Sequence, residues 1–191
     1  MSEDRRHSIY LPPWRVDVVT RDGVELRIPA SSIARQVAVA LDASSAPRPG
    51  SVTVVLTDDD ELAELNVEHM GVAGPTDVLS FPMLPPESFL RRHPDDPGPR
   101  QRKQPKVAAR ARTHIGDLAI SVERAIEQAE QGRGGQTGDV RWSSGDEIRL
   151  LVTHGTLHLC GWDHAEPADE AAMRSLEVEL LGSGRPLGRL R

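Results

Sequence analysis

The sequence predicts a single α+β domain with one small mixed β-sheet packed with helices. Three observations lead there. Apolar runs of strand character and stretches of helical periodicity follow one another without strict β-α-β alternation. The chain has 191 residues, the length of one domain with a sizeable core. Hydrophobic residues make up 38% and aromatics only 3%, so Leu, Val, Ile and Ala must fill that core.

Residues 1–13 read as a ragged entry. Trp14 to Val19 alternates, as a strand does. Asp22-Gly23 is a turn signal, and Val24 to Ile28 is expected to pair back across it. Ser31 or Ser32 caps a helix through about Leu41, with Ile33, Val37 and Leu41 on one face. Ala46 to Gly50 is a proline-rich loop. Ser51 to Leu56 is β-branched and apolar, a buried strand. Thr57 and three aspartates open a helix whose N-terminus their charge suits. It carries Leu62, Leu65 and Asn66 and fades near Met70. Pro75 to Pro82 holds a short strand that its prolines confine to an edge.

Residues 83–113 are rich in Pro, Arg and Gln and read as a flexible basic insertion without fixed structure. Ile115 to Ile120 is a strand. Val122 to Gln131 is a helix with Val122, Ala125, Ile126 and Ala129 as its apolar stripe. Gly132 to Gly138 is a linker. Ser144-Gly-Asp-Glu147 reads as a capping box opening the next helix. Glu166 to Leu181 is a last amphipathic helix, with Met173, Leu176, Leu180 and Leu181 on its core side. Residues 182–191 are a polar tail.

The charged N-terminus has no apolar run behind it, so no signal peptide is expected. No stretch approaches the ~18 apolar residues of a membrane span. The one cysteine, Cys160, rules out an internal disulfide. Together these point to the cytoplasm. A net charge of -6 taken alone argues against a nucleic-acid partner. The charge is unevenly spread, however. Residues 91–112 hold eight Lys/Arg and two acids, a local +6. That run reads either as a solvated loop or as a phosphate-attracting arm.

The chemistry concentrates in His154-Gly-Thr-Leu-His158-Leu-Cys-Gly-Trp-Asp-His164, an H-x-x-x-H-x-x-G-x-x-H pattern. Histidines four apart on a helix share a face, ~6 Å apart along the axis. Gly161 can take the left-handed conformation that ends a helix, and the chain can then bring His164 back to the same point. Buried imidazoles each need a partner, and one metal satisfies all three. Three neutral imidazoles with a fourth position open describe a catalytic zinc site rather than a closed structural one. Such a metal keeps its +2 charge, lowers the pKa of a bound water and polarises a phosphoryl oxygen. Asp163 is the candidate catalytic residue, placed to orient an imidazole or accept a proton; the alternative is a turn residue. Asp77 and Asp117, at strand ends, are candidate partners of the ligands. Cys160 points off the histidine face and reads as core.

This block resembles the signature of the YbeY endoribonucleases, bacterial rRNA maturation factors. Pro75-Thr-Asp-Val-Leu-Ser-Phe-Pro82 and Ile115-Gly-Asp-Leu-Ala-Ile120 are similar to two further family blocks, in the same order. The likeness spans about residues 51–181. It implies one α+β domain and one zinc ion held by His154, His158 and His164. It also implies endonucleolytic cleavage of single-stranded RNA in small-subunit rRNA 3′-end maturation and ribosome quality control, on or near the ribosome and its small-subunit proteins. The chain departs from the family at Met70, where many members carry an arginine, and at Val72-Ala73, where Lys-Asp is usual. An arginine of the 91–112 run is the expected substitute cation. Two other readings stand beside this one. A zinc metallopeptidase has the same metal spacing, but its base is a Glu after the first His, and here that position is Gly155. The second is a non-catalytic ribosome-assembly factor whose metal is structural.

Overall fold

The computed structural model describes residues 3–89, 111–132 and 142–183. Its elements run β1 (Arg5–Leu11), β2 (Trp14–Thr20), α1 (Ala30–Ala43), β3 (Gly50–Thr57), α2 (Asp59–Met70), β4 (Val78–Pro82), β5 (Thr113–Ser121), α3 (Val122–Glu130), α4 (Ser144–Leu159) and α5 (Pro167–Ser183). The strands form one sheet in the order β1-β2-β3-β5-β4. The three central strands are parallel; β1 and β4 flank them antiparallel. This is the α+β fold with one mixed sheet that the sequence predicts, with β4 on an edge as its prolines require.

Alternation along the strands divides the molecule into two layers of contact. Trp14, Val16 and Val18 of β2, Val52, Val54 and Leu56 of β3, and Leu118 and Ile120 of β5 face the main core. There they meet Ile33, Val37 and Leu41 of α1, Ile148, Val152 and Leu157 of α4, and Met173, Leu176 and Leu180 of α5. Ala119 faces the other way and joins Leu79 and Leu62 in a small cluster that seats α2. The helix α2 starts as its aspartates suggest: the Asp58 carboxylate accepts from the Glu61 backbone N–H, and Gly71 ends the helix at φ 68.

Several expectations are corrected. The entry segment is a strand: β1 pairs with β2 from Arg5↔Thr20 to Leu11↔Trp14. Its side chains are mostly exposed, so no apolar alternation marks it; buried Asp17 of β2 holds it through Arg6 and Ser8. With that edge filled, Val24 to Ile28 forms no strand, and Ile28 packs instead on the start of α4 beside Gly145. The helix α1 begins at Ala30 behind Pro29, without a side-chain cap from either serine. The capping box of α4 lies one residue earlier, Ser143 with Asp146, because Glu147 is buried and takes the Trp142 indole N–H. The insertion expected over 83–113 is folded at both ends. Pro86–Ser88 makes a 3-10 turn, Phe89 is in the main core, and Thr113 starts β5. Residues 90–110 lie outside the described residues, as do 133–141 of the linker. The expected tail begins late, since α5 runs to Ser183; 184–191 lie outside the described residues.

Two glycines let α4 close on the sheet. A Cβ on Gly116 of β5 would stand 2.5 Å from the Phe81 carbonyl oxygen and 2.8 Å from Leu159 Cδ2. A Cβ on Gly155 of α4 would meet Leu118 Cδ2 at 2.9 Å and Ser80 Oγ at 3.2 Å. The Ser80 hydroxyl donates to the Gly155 carbonyl at 3.2 Å, tying α4 to β4. Gly116→Ala meets a carbonyl that cannot rotate away, so a loss of about 1–3 kcal/mol in urea unfolding is expected. Gly155→Ala is expected to lose less, because alanine regains ~1 kcal/mol of helix propensity and meets side chains that can yield. Equal losses at the two positions would contradict this account.

The loop after β2 is clamped to α2 by Arg21, whose guanidinium meets Glu61 Oε2 at 2.8 Å. That guanidinium, aided by the Thr57 hydroxyl and opposed by partial burial, holds the Glu61 carboxyl below its ordinary value. A depressed carboxyl stabilises the fold above its unfolded pKa and loses that contribution as pH falls through the folded one. Arg21→Met should therefore lower Tm at pH 7, and the gap to wild type should narrow as pH drops below about 4.5. Both side chains are about a third exposed, so the gap at pH 7 should correspond to ~1 kcal/mol or less.

Candidate metal centre

Helix α4 is built to be buried. Its threonines would be orphans in the core, but Thr153 and Thr156 each donate to the carbonyl one turn back, Arg149 and Val152, at 2.7 Å. The helix ends in a Schellman turn. Gly161 N–H donates to His158 O at 3.0 Å, and Trp162 N–H donates to Leu157 O at 3.1 Å. Gly161 sits at φ 81, the left-handed region expected from the sequence. The turn drives Trp162 into the main core, where its indole N–H donates to Ser44 Oγ at 3.2 Å. Two residues later His164 returns to the histidine face.

The structure brings the three rings together. One nitrogen from each of His154, His158 and His164 lies within 4.8 Å of the others. The rings of His154 and His158 are 4.5 Å apart by centroid, and those of His158 and His164 4.9 Å. His158 Nδ1 is 2.9 Å from the Trp162 carbonyl, and His154 Nδ1 is 2.7 Å from Glu177 Oε1 on α5. A carbonyl and a carboxylate only accept, so both Nδ1 atoms carry the proton and donate. That leaves two Nε2 lone pairs facing each other at 3.0 Å. Unrelieved, this contact is repulsive. A proton on His158 does not relieve it near neutral pH, because burial, then repulsion from His154 and His164, pushes that ring down to about 4. A cation bound by both nitrogens is one arrangement that relieves it. Metal–nitrogen bonds of about 2.0–2.1 Å in a tetrahedron place neighbouring nitrogens ~3.3 Å apart, near the His154–His158 separation and within the 4.8 Å span of all three. The donor set therefore fits a divalent metal.

A cleft of about 200 Å³ opens onto the rings, lined by His154, His164, Glu170, Met173, Arg174 and Glu177. Ligand-swallowing pockets run to about 300–1,000 Å³, so this notch admits part of a chain rather than a whole nucleotide.

The sequence-level candidates divide. Asp163 is exposed and its Oδ1 accepts from the His164 backbone N–H at 2.7 Å; the geometry is that of a turn anchor. Asp77 instead accepts from Gln128 Nε2 at 3.0 Å, and Asp117 pairs with His114 at 2.9 Å, so neither touches the three rings. Cys160 is fully buried, and burial pushes its thiol up to about 12, as suits core. Met70 is half-exposed at the end of α2. Arg112 donates to the Pro13 and Gly50 carbonyls at 2.7 and 2.9 Å, which commits it elsewhere; 91–110 lie outside the described residues. Glu177 escaped the sequence reading. Its signal was there: on α5 it stands four residues after buried Met173, on the helix face that meets α4.

The family model described as Endoribonuclease YbeY matches residues 21–184. The Endoribonuclease YbeY of Thermobifida fusca is 40% identical over 172 residues, 89% of this chain and 94% of that one. The Endoribonuclease YbeY of Roseiflexus castenholzii is 35% identical over 158 residues, 82% and 84%. That of Salinispora tropica is 38% identical over 146 residues, 76% and 82%.

A carboxylate on the far nitrogen of a metal-binding imidazole typically strengthens metal affinity ten- to a hundredfold. Glu177→Ala should weaken zinc binding by about that factor in competition with a chromophoric chelator, and Glu177→Gln by less. Unchanged affinity in both variants would show that the 2.7 Å contact does not orient His154 for a metal.

Proposed function

This chain belongs to the endoribonuclease YbeY family, and we propose that it is a zinc-dependent endoribonuclease cutting single-stranded RNA in the maturation of the small-subunit rRNA 3′ end and in ribosome quality control. The observation that carries the metal-dependent reading is the convergence of one nitrogen from each of His154, His158 and His164 within 4.8 Å, with the far nitrogens of His154 and His158 held by Glu177 and the Trp162 carbonyl. In this proposal His154, His158 and His164 hold one zinc ion and leave a fourth position facing the cleft. When bound, the ion supplies a water of lowered pKa and draws charge from a phosphoryl oxygen.

The chain's own residues keep that site in register. Glu177 fixes one ring and the Trp162 carbonyl another, each by accepting the hydrogen bond from Nδ1–H. We assign Asp163 to anchoring His164, from whose backbone N–H it accepts at 2.7 Å. The metallopeptidase alternative loses support here. Its base would stand at position 155, and a side chain there runs into Leu118 and Ser80 of the sheet, away from the cleft. RNA is less demanding, since each phosphate has a 2′-hydroxyl beside it that can serve as the nucleophile. The cytoplasm and the ribosome, with its small-subunit proteins, are the proposed setting. No helix among the described residues is long and apolar enough to cross a membrane.

Purified protein should contain about one zinc per chain, and a chelator should abolish cleavage of single-stranded RNA in a gel assay. Metal activation is worth several kcal/mol, so His158→Ala should cut the rate by about a hundredfold or more while its circular dichroism stays native. An unfolded variant would favour a metal that only holds the fold. A folded variant of full activity would remove the metal from the reaction.

A further inference from the structure

We propose that Arg174 grips a non-bridging oxygen of the RNA phosphate entering the cleft; this rests on the endoribonuclease reading and deepens it by assigning how the site takes up an anion. Glu170, Met173, Arg174 and Glu177 recur at i, i+3, i+4 and i+7 on α5, so they share one face. Buried Met173 pins that face to the core, and Glu177 fixes it to His154 at 2.7 Å. Arg174 rises from the same wall of the cleft, with its side chain 73% exposed.

The charges around the cleft call for such a cation. The chain carries a net -6, and two of the cleft's six lining residues are carboxylates. RNA would approach both. Arg174 is the one Lys or Arg among the described lining residues. Its guanidinium makes one hydrogen bond among the described residues, Nη2 to Glu170 Oε1 at 2.7 Å. The remaining N–H groups are available, in a planar fork that matches phosphate oxygens. An exposed i,i+4 ion pair adds little to stability, so holding the helix together is a weak reason for this arginine to stand here. Glu170 then acts as a stand-in anion, occupying the guanidinium until a phosphate takes its place.

The test uses the zinc-loaded full chain, a fluorescein-labelled single-stranded RNA and the same strand with 2′-O-methyl riboses, which resists cleavage. Binding of the resistant strand is followed by anisotropy across a KCl series, and cleavage of the natural strand by gel. Arg174→Ala should weaken binding about tenfold and reduce the slope of log affinity against log salt by about 0.7, one phosphate contact on a single strand. Arg174→Lys should regain the slope but only part of the affinity, since a point charge replaces the fork. Glu170→Gln should tighten binding, because it removes the competing carboxylate. Arg174→Ala with wild-type affinity and slope overturns the proposal. So does Glu170→Gln weakening binding as Arg174→Ala does, since the pair would then matter only as a structural tie. If wild type cleaves while Arg174→Ala binds as it does, this inference fails and the endoribonuclease reading stands. If wild type does not cleave yet Arg174→Ala loses affinity and slope, the reading fails and the phosphate contact remains.

Discussion

The turn that ends α4 is the constraint on which the site depends. Three functions converge in Gly161 and Trp162. The left-handed glycine stops the helix just after His158 and redirects the chain toward His164. The indole locks the turn in the core against Ser44, at the end of α1. The Trp162 carbonyl returns to His158 Nδ1 and leaves Nε2 to face His154. A metal site tolerates errors of only about 0.5 Å in its ligands. Here one ring is tied to the backbone of a turn that the hydrophobic core itself holds. The second ring is held from another helix, by Glu177, so the relative placement of α4 and α5 is read directly at the metal position.

What was legible in the sequence follows the physics of each feature. Chemistry repeated at short spacing was plain, so His154, His158, Gly161 and His164 stood out and the structure gathers them. Apolar periodicity gave away β3, β5 and the helices for the same reason: their inner faces are buried continuously. β1 is invisible in the sequence because Arg5, Arg6, His7 and Ser8 are exposed, and what recruits them is a backbone ladder and the carboxylate of Asp17 on β2, neither of which leaves an apolar pattern. The sequence places the capping box one residue late because Ser143 and Ser144 are chemically equal; only the burial of Glu147 decides between them. Trp162's role lies in its carbonyl, which every residue has, so no sequence pattern marks it. Glu177 stands 13 residues beyond His164, on a helix whose approach angle is set by core packing.

Spacing alone also misleads about reaction class, and packing supplies what it lacks. The same three-histidine pattern serves peptide hydrolysis when a glutamate follows the first ligand. Here the core decides what position 155 can do. Leu118 and Val78 of the sheet press on the back of α4, so the residue after His154 must be small and has no view of the cleft. The acids that do face the cleft, Glu170 and Glu177, come from α5, and one is spent on a ring nitrogen, the other on Arg174. Neither is a free carboxylate placed to take a proton from water, as peptide cleavage demands. A site whose acids are already engaged, beside a metal position and an exposed guanidinium, is suited to a substrate that arrives with its own negative charge and a hydroxyl next to the scissile bond. RNA meets both conditions at every nucleotide, whereas the peptide backbone itself carries neither a charge nor a hydroxyl.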